Sequence, residues 1–330
     1  MQLKGRYPAM PASFDPQPQF QNYAHPERLV SASWLSARLG TPGLRVVESD
    51  ADPLQYDIGH IPGAVRIDWR RELNDPLSRD LLTAESFAAL MSAKGINRDD
   101  TVVVYGDKAN SWAAFTIWVF ELFGHQDVRL LDGGRDAWMA EERDTSFVVP
   151  DYPPTQYPVV ERDDVTNRAF VADVLAGITK LSKNGAEGQS PDPSDDTIAI
   201  VDVRNGKEYM GDIPDNSPDS GVIRHGHIPS AINICWENSV LVNARFRSVS
   251  DLKAAFAPAL KAEKVFVYCY QGHQAAHAWF VLKYLLGHNN VVNYDGSWAE
   301  WGNMIRMPIR KGSDPDNVEM SLSWTGTHML

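Results

Sequence analysis

The chain repeats itself, and that restricts its fold more than any other property. Residues 102–138, VVVYGDKANSWAAFTIWVFELFGHQDVRLLDGGRDAW, lie over 265–301, VFVYCYQGHQAAHAWFVLKYLLGHNNVVNYDGSWAEW, at a constant offset of 163. No gap is needed and 11 of the 37 positions are identical. A second echo pairs GHIPGA at 59–64 with GHIPSA at 226–231. Solenoid repeats recur at roughly 20–50 residues, so two copies this far apart predict a duplicated domain. The length of 330 residues also suits two domains rather than one core.

Within each copy, short β-rich runs alternate with longer helical stretches, which predicts α/β layers around parallel strands. The expected strands are 44–49, 64–67, 101–105 and 128–131, then 197–203, 231–234, 265–268 and 291–294. Thr83 and Ser250 are expected to cap helices, and Gly95 to end one. The pattern divides the chain into a first copy at 21–147, a Pro-rich linker at 148–164 and a second copy at 165–312. Residues 1–20 read as a loose Pro-rich tail and 182–196 as a polar insert.

A net charge of −12 with no basic run argues against nucleic acid or an anionic membrane as partner. No stretch has the apolar length of a signal peptide or a membrane span. The two cysteines, Cys235 and Cys269, stand in no zinc-like spacing. Free thiols and no export signal predict a cytoplasmic setting, and no cofactor or metal is expected.

The repeat serves as an internal control. Cys269 in the second copy faces Gly106 in the first, and Arg204 of VDVR faces Asp50 of VESD. Cys269 sits between a strand-like run and a helix start, where open α/β sheets bind ligands. The N–H groups of Tyr270, Gln271, Gly272, His273, Gln274 and Ala275 can curl around one point, and with the helix N-terminus make an anion cradle. A thiol there is expected to have its pKa lowered toward neutrality and to act as a nucleophile. The competing reading is a buried core cysteine; loss from the sister copy favours chemistry. Cys235 has neither feature and reads as structural.

Two GHIP halves, VDVR, a Cys-led loop and DGSWAEW together resemble the two-domain rhodanese family of thiosulfate and 3-mercaptopyruvate sulfurtransferases, over residues 25 to about 310. The resemblance implies tandem doubly wound parallel sheets with helices on both faces, an inactive first domain, an active second one and a persulfide on Cys269. It also implies that Arg204 faces the donor's anionic group; an ion pair that fixes the loop is the other reading. Tyr270 and Gln271 stand where thiosulfate-type loops carry cations. Glu208 stands where mercaptopyruvate enzymes carry a second arginine, which favours thiosulfate as donor, with cyanide or a thiol as acceptor.

His273 could add partial positive charge above the loop or be a plain helix-start histidine. His60, His125, His227 and His288 occur in both copies and read as structural. Trp34 reads as core, and Trp298, opposite Arg135, as a possible entrance residue; Arg224 could charge the cleft. Three rivals remain. A phosphatase would need Cys-x5-Arg, and no arginine follows Cys269 at that distance. The others are a 3-mercaptopyruvate sulfurtransferase and a non-catalytic rhodanese-fold binding protein.

Overall fold

A continuous run of β-branched residues buries both faces of a strand, which is the signature of a parallel sheet covered by helices. Thr101–Tyr105 (TVVVY) is such a run, and all five residues are buried. The computed structural model describes residues 12–184, 197–212 and 221–313, apart from the side chains of 182–184. It contains two five-stranded sheets. The first holds β1 (Leu29–Val30), β2 (Leu44–Glu48), β3 (Ala64–Arg66), β4 (Thr101–Tyr105) and β5 (Val128–Leu131) in the order β1-β5-β4-β2-β3. The second holds β6 (Arg168–Ala169), β7 (Ile198–Asp202), β8 (Ala231–Asn233), β9 (Lys264–Tyr268) and β10 (Val291–Tyr294) in the order β6-β10-β9-β7-β8. Every pairing is parallel. The two orders are one topology used twice.

Eight strands stand where the sequence pattern puts them, within a residue or so. The edge strands β1 and β6 escape it because two residues carry no periodicity. Thr83 caps its helix by accepting the Ser86 N–H. The second expected cap moves by two residues: Ser248, not Ser250, accepts the Asp251 N–H and starts the helix Val249–Ala255. The described part of the N-terminal segment is not loose. Arg129 donates to the carbonyls of Ala12 and Ser13, Asp15 accepts from Ser31, and Phe20 is buried. Residues 182–184 of the expected insert continue the helix Val171–Asn184, and the rest of it, 185–196, lies outside the described residues.

The copies meet through matched helices, Ser111–Leu122 and His273–Phe280, which pack on each other and share one apolar core. The second helix continues as a π-helical turn over Val281–Leu285. Polar ties reinforce the seam. The N–H groups of Ala24 and His25 donate to Leu285 and Tyr284 carbonyls at 3.1 and 2.9 Å. The Phe246 N–H donates to Asp132 Oδ1 at 3.0 Å, and Trp118 Nε1 donates to the Asn167 carbonyl at 2.9 Å. No helix among the described residues is long and apolar enough to cross a membrane.

Candidate active site

Strand β9 ends at Tyr268 and delivers Cys269 to the loop before the helix His273–Phe280. The cysteine backbone is pinned on both sides. Its N–H donates to Ser297 Oγ at 3.1 Å, and its carbonyl accepts from Trp298 N at 3.0 Å. Its Sγ accepts the Gly272 N–H at 3.1 Å, and the amides of Ala275, Gln271 and Gln274 bear on the same sulfur. The loop closes this tightly because Gly272 adopts φ of 92°, where a Cβ would come within 2.9 Å of Asp295. The side chain is 0% exposed. Burial pushes the Cys269 thiol up, and the amides of Ala275, Gln271, Gly272 and Gln274 pull it only part of the way back. The expected fall toward neutrality is therefore reversed: the cradle is present, but desolvation of the anion outweighs it.

The rest of the expected loop divides into groups that face the cleft and groups that do not. Gln271 lines a cavity of about 660 Å³ between the copies, together with Trp69, Arg70, Arg79 and Arg168. Tyr270 lies beside Gly221, whose missing Cβ would fall 2.9 Å from the phenol oxygen. Gln274 is half-buried and Ala275 fully buried. His273 is only 7% exposed, stacked on Trp112 of the first copy with centroids 4.0 Å apart. Burial, then Arg70, Arg79 and Lys108, pulls its imidazole down to about 4. It is neutral near pH 7 and supplies no positive charge.

Arg204 is not turned to the cleft. Its Nε lies 3.0 Å from Asp202 Oδ1, and Nη2 donates to Asp202 Oδ2 at 2.5 Å and to the Gly226 carbonyl at 2.7 Å. Trp298 covers the guanidinium at 4.7 Å, and the arginine is 2% exposed. The first copy solves the same problem from the opposite side. There the buried acid is Glu48, and its partner is Arg135, which donates to Glu48 Oε1 at 2.8 Å. Arg135 is the repeat counterpart of Trp298, and Asp50 that of Arg204. The cation has changed places between the copies, as a buried acid needing one partner allows.

Other sequence candidates are engaged within the fold. Trp298 is 2% exposed and does not line the entrance; its indole N–H donates to the Arg224 carbonyl. Arg224 donates to four carbonyls, those of Gly302, Met307, Trp301 and Met304. Trp34 is core. His60 and His227 stack on Tyr56 and Tyr209 and bond those residues' carbonyls. His125 and His288 bond the carbonyls of Asp100 and Ala262. Glu208 closes a capping box with Asn205. Sequence reading missed Ser297, which holds the cysteine N–H, and the first-copy wall of Trp69, Trp112, Arg70 and Arg79.

The first copy has no room for a thiol. A Cβ on Gly106 would lie 2.2 Å from the Ser49 carbonyl oxygen. Asn110, the counterpart of His273, fills the loop, accepting the Gly106 N–H at 3.0 Å and donating to the Leu131 carbonyl at 2.7 Å.

A rhodanese-like domain matches this chain twice, at residues 31–141 and 188–304. The chain is 61% identical over 310 residues to a thiosulfate sulfurtransferase of Corynebacterium glutamicum, covering 93% of this chain and 98% of that protein. It is 47% identical over 297 residues to the sulfur carrier protein TtuD of Thermus thermophilus, covering 88% and 99% respectively. The solved structure of Escherichia coli SseA, a 3-mercaptopyruvate sulfotransferase, superposes with a TM-score of 0.66 at 24% identity, covering 82% of this chain and 98% of that one. At that identity the likeness concerns the fold alone.

Proposed function

The chain belongs to the rhodanese family and carries its domain twice, and from that premise we propose that it moves the sulfane sulfur of thiosulfate to a nucleophilic acceptor through a persulfide on Cys269. The observation that carries this reading is the set of amides converging on Sγ. They stabilise an anion at one point, and both the thiolate and the outer sulfur of a persulfide are anions. The first copy, with glycine at the matching place, does no chemistry.

The steps balance without a redox partner. Cys269 gives its proton to solvent, and the thiolate attacks the outer sulfur of thiosulfate. A bond forms from Sγ to that sulfur, the bond to the sulfonate sulfur breaks, and sulfite leaves with the electron pair. The terminal persulfide sulfur inherits the negative charge and the amides of the cradle. Cyanide or an acceptor thiolate then attacks that sulfur and returns the Cys269 thiolate. Because Sγ has no exposed surface, attack requires the side chains over the loop to yield to the donor.

The resemblance assigns Arg204 to the donor anion; its geometry supports holding the loop through Asp202 and Trp298 instead. Thiosulfate is preferred to mercaptopyruvate because the resemblance calls for a second arginine at position 208 to hold the mercaptopyruvate carboxylate, and here that position is Glu208, an acid closed in a capping box with Asn205. A cytoplasmic location suits the two free thiols. Steady-state rates with each donor test the choice. A kcat/KM at least about tenfold higher for thiosulfate supports it, since that ratio is one pocket contact's worth of discrimination. Preference for mercaptopyruvate overturns it.

A further inference from the structure

A dianionic donor approaching a chain of net charge −12 needs local positive charge, and the cations of the second copy described around its loop are already engaged or neutral. Arg204 is paired to Asp202, and Arg224 is held by four carbonyls. Arg168, which reaches the cavity wall, is shared among Asp80, Asp164 and Asp295. His273 is neutral near pH 7. We propose that Arg70 and Arg79, both on the first copy, position the anionic donor at the mouth of the Cys269 loop. This assignment rests on the sulfur-transfer reading above and adds to it a role for the copy that has lost its thiol.

Both arginines line the cavity that Gln271 borders. Both are exposed, and neither makes an ion pair among the described residues. The carboxylates on the same wall have other partners. Asp75 accepts the Leu77 and Ser78 N–H groups and the Ser78 hydroxyl, capping its own turn. Asp80 and Asp295 hold Arg168, and Glu300 accepts the Tyr294 hydroxyl at 2.7 Å. Asp75 and Glu300 keep their charge, since their partners are neutral, but neither pairs with Arg70 or Arg79, whose guanidinium groups are left at the cavity wall without an ion-pair partner among the described residues. The two arginines are also close enough to act on the loop: with Lys108, they disfavour the charged form of His273, the first residue of the helix behind Cys269.

The backbone that carries the exposed Arg79 side chain is held in place. Arg79 ends the Asp75–Arg79 turn with φ of 60°, and its N–H donates to the Asp75 carbonyl at 2.9 Å. A left-handed conformation at a long side chain is uncommon. The aromatic seam between Trp69, Trp112 and His273 holds this wall against the loop.

Arg70→Gln, Arg79→Gln, the double variant and the corresponding lysine variants test the assignment with thiosulfate as donor and cyanide as acceptor. Each glutamine is expected to raise KM for thiosulfate about fivefold, and the pair about twentyfold, at low salt, with kcat within about twofold. Lysine should restore most of the loss. Raising the ionic strength should raise KM of the wild type and leave the double variant nearly unchanged, because screening acts on the charge that the variant lacks. A double variant whose KM matches the wild type, or whose lysine form fails equally with kcat lost, overturns the role of these arginines. A wild-type protein that takes up no sulfur from thiosulfate overturns the underlying reading instead, so the two failures are distinct.

Discussion

Cys269 and Arg204 were the two residues that the sequence marked for chemistry, and they meet different outcomes in the fold. The cysteine lies in its amide cradle, but complete burial raises its thiol rather than lowering it. Only the thiolate attacks, so the rate of sulfur loading should climb as pH rises from 7 to 9, and a rate already flat below pH 7 would contradict this. The climb can be followed by stopped-time mass spectrometry of the loaded protein. Arg204 answers to Asp202. Residues two apart in extended chain share a face, so VDVR already placed the acid and the arginine together. That signal outweighs the motif match, which names a residue type without the direction of its side chain. Arg204→Gln should therefore act on stability, lowering it by roughly 3–5 kcal/mol in urea unfolding because a buried carboxylate is left unpaired. Loss of thiosulfate affinity at unchanged stability would restore the donor-binding role.

The strands were legible because continuous β-branched runs admit few alternatives, and the 163-residue offset recurs in the matched strands β4 with β9 and β5 with β10. The seam was not legible. Nothing local in HQAAHAWF says that its apolar side would be covered by the helix Ser111–Leu122. His277 shows the consequence: it is fully buried between Trp236 and Phe246, and neither ring nitrogen has a hydrogen-bond partner among the described residues. Burial pulls its imidazole down to about 3. A folded value below the unfolded one means that the unfolded chain takes a proton that the folded chain refuses. The contribution is intact above pH about 6.5 and is lost as pH falls from there toward 3. His277→Leu removes that linkage. Unfolding at pH 7 and pH 5 should show the variant gaining roughly 2 kcal/mol on the wild type between them. A constant difference would mean that the imidazole is solvated.

At the scale of the whole molecule, duplication left one copy with the thiol and the other with the wall that faces it. The first copy has no space for a cysteine at the position that matches Cys269, since a Cβ on Gly106 would meet the Ser49 carbonyl. Its helix Ser111–Leu122 covers the helix behind Cys269, and Trp112 stacks on His273. Residues 165–312 expressed alone should therefore aggregate or load sulfur far more slowly than the full chain. Loading at the full rate by this fragment would show that the first copy is dispensable. The most direct test of the central claim is intact mass after incubation with thiosulfate and removal of excess donor. The account requires one added sulfur atom on the wild type and on Cys235→Ser, and none on Cys269→Ser. Sulfur retained by Cys269→Ser, or a wild type that gains none, would contradict it.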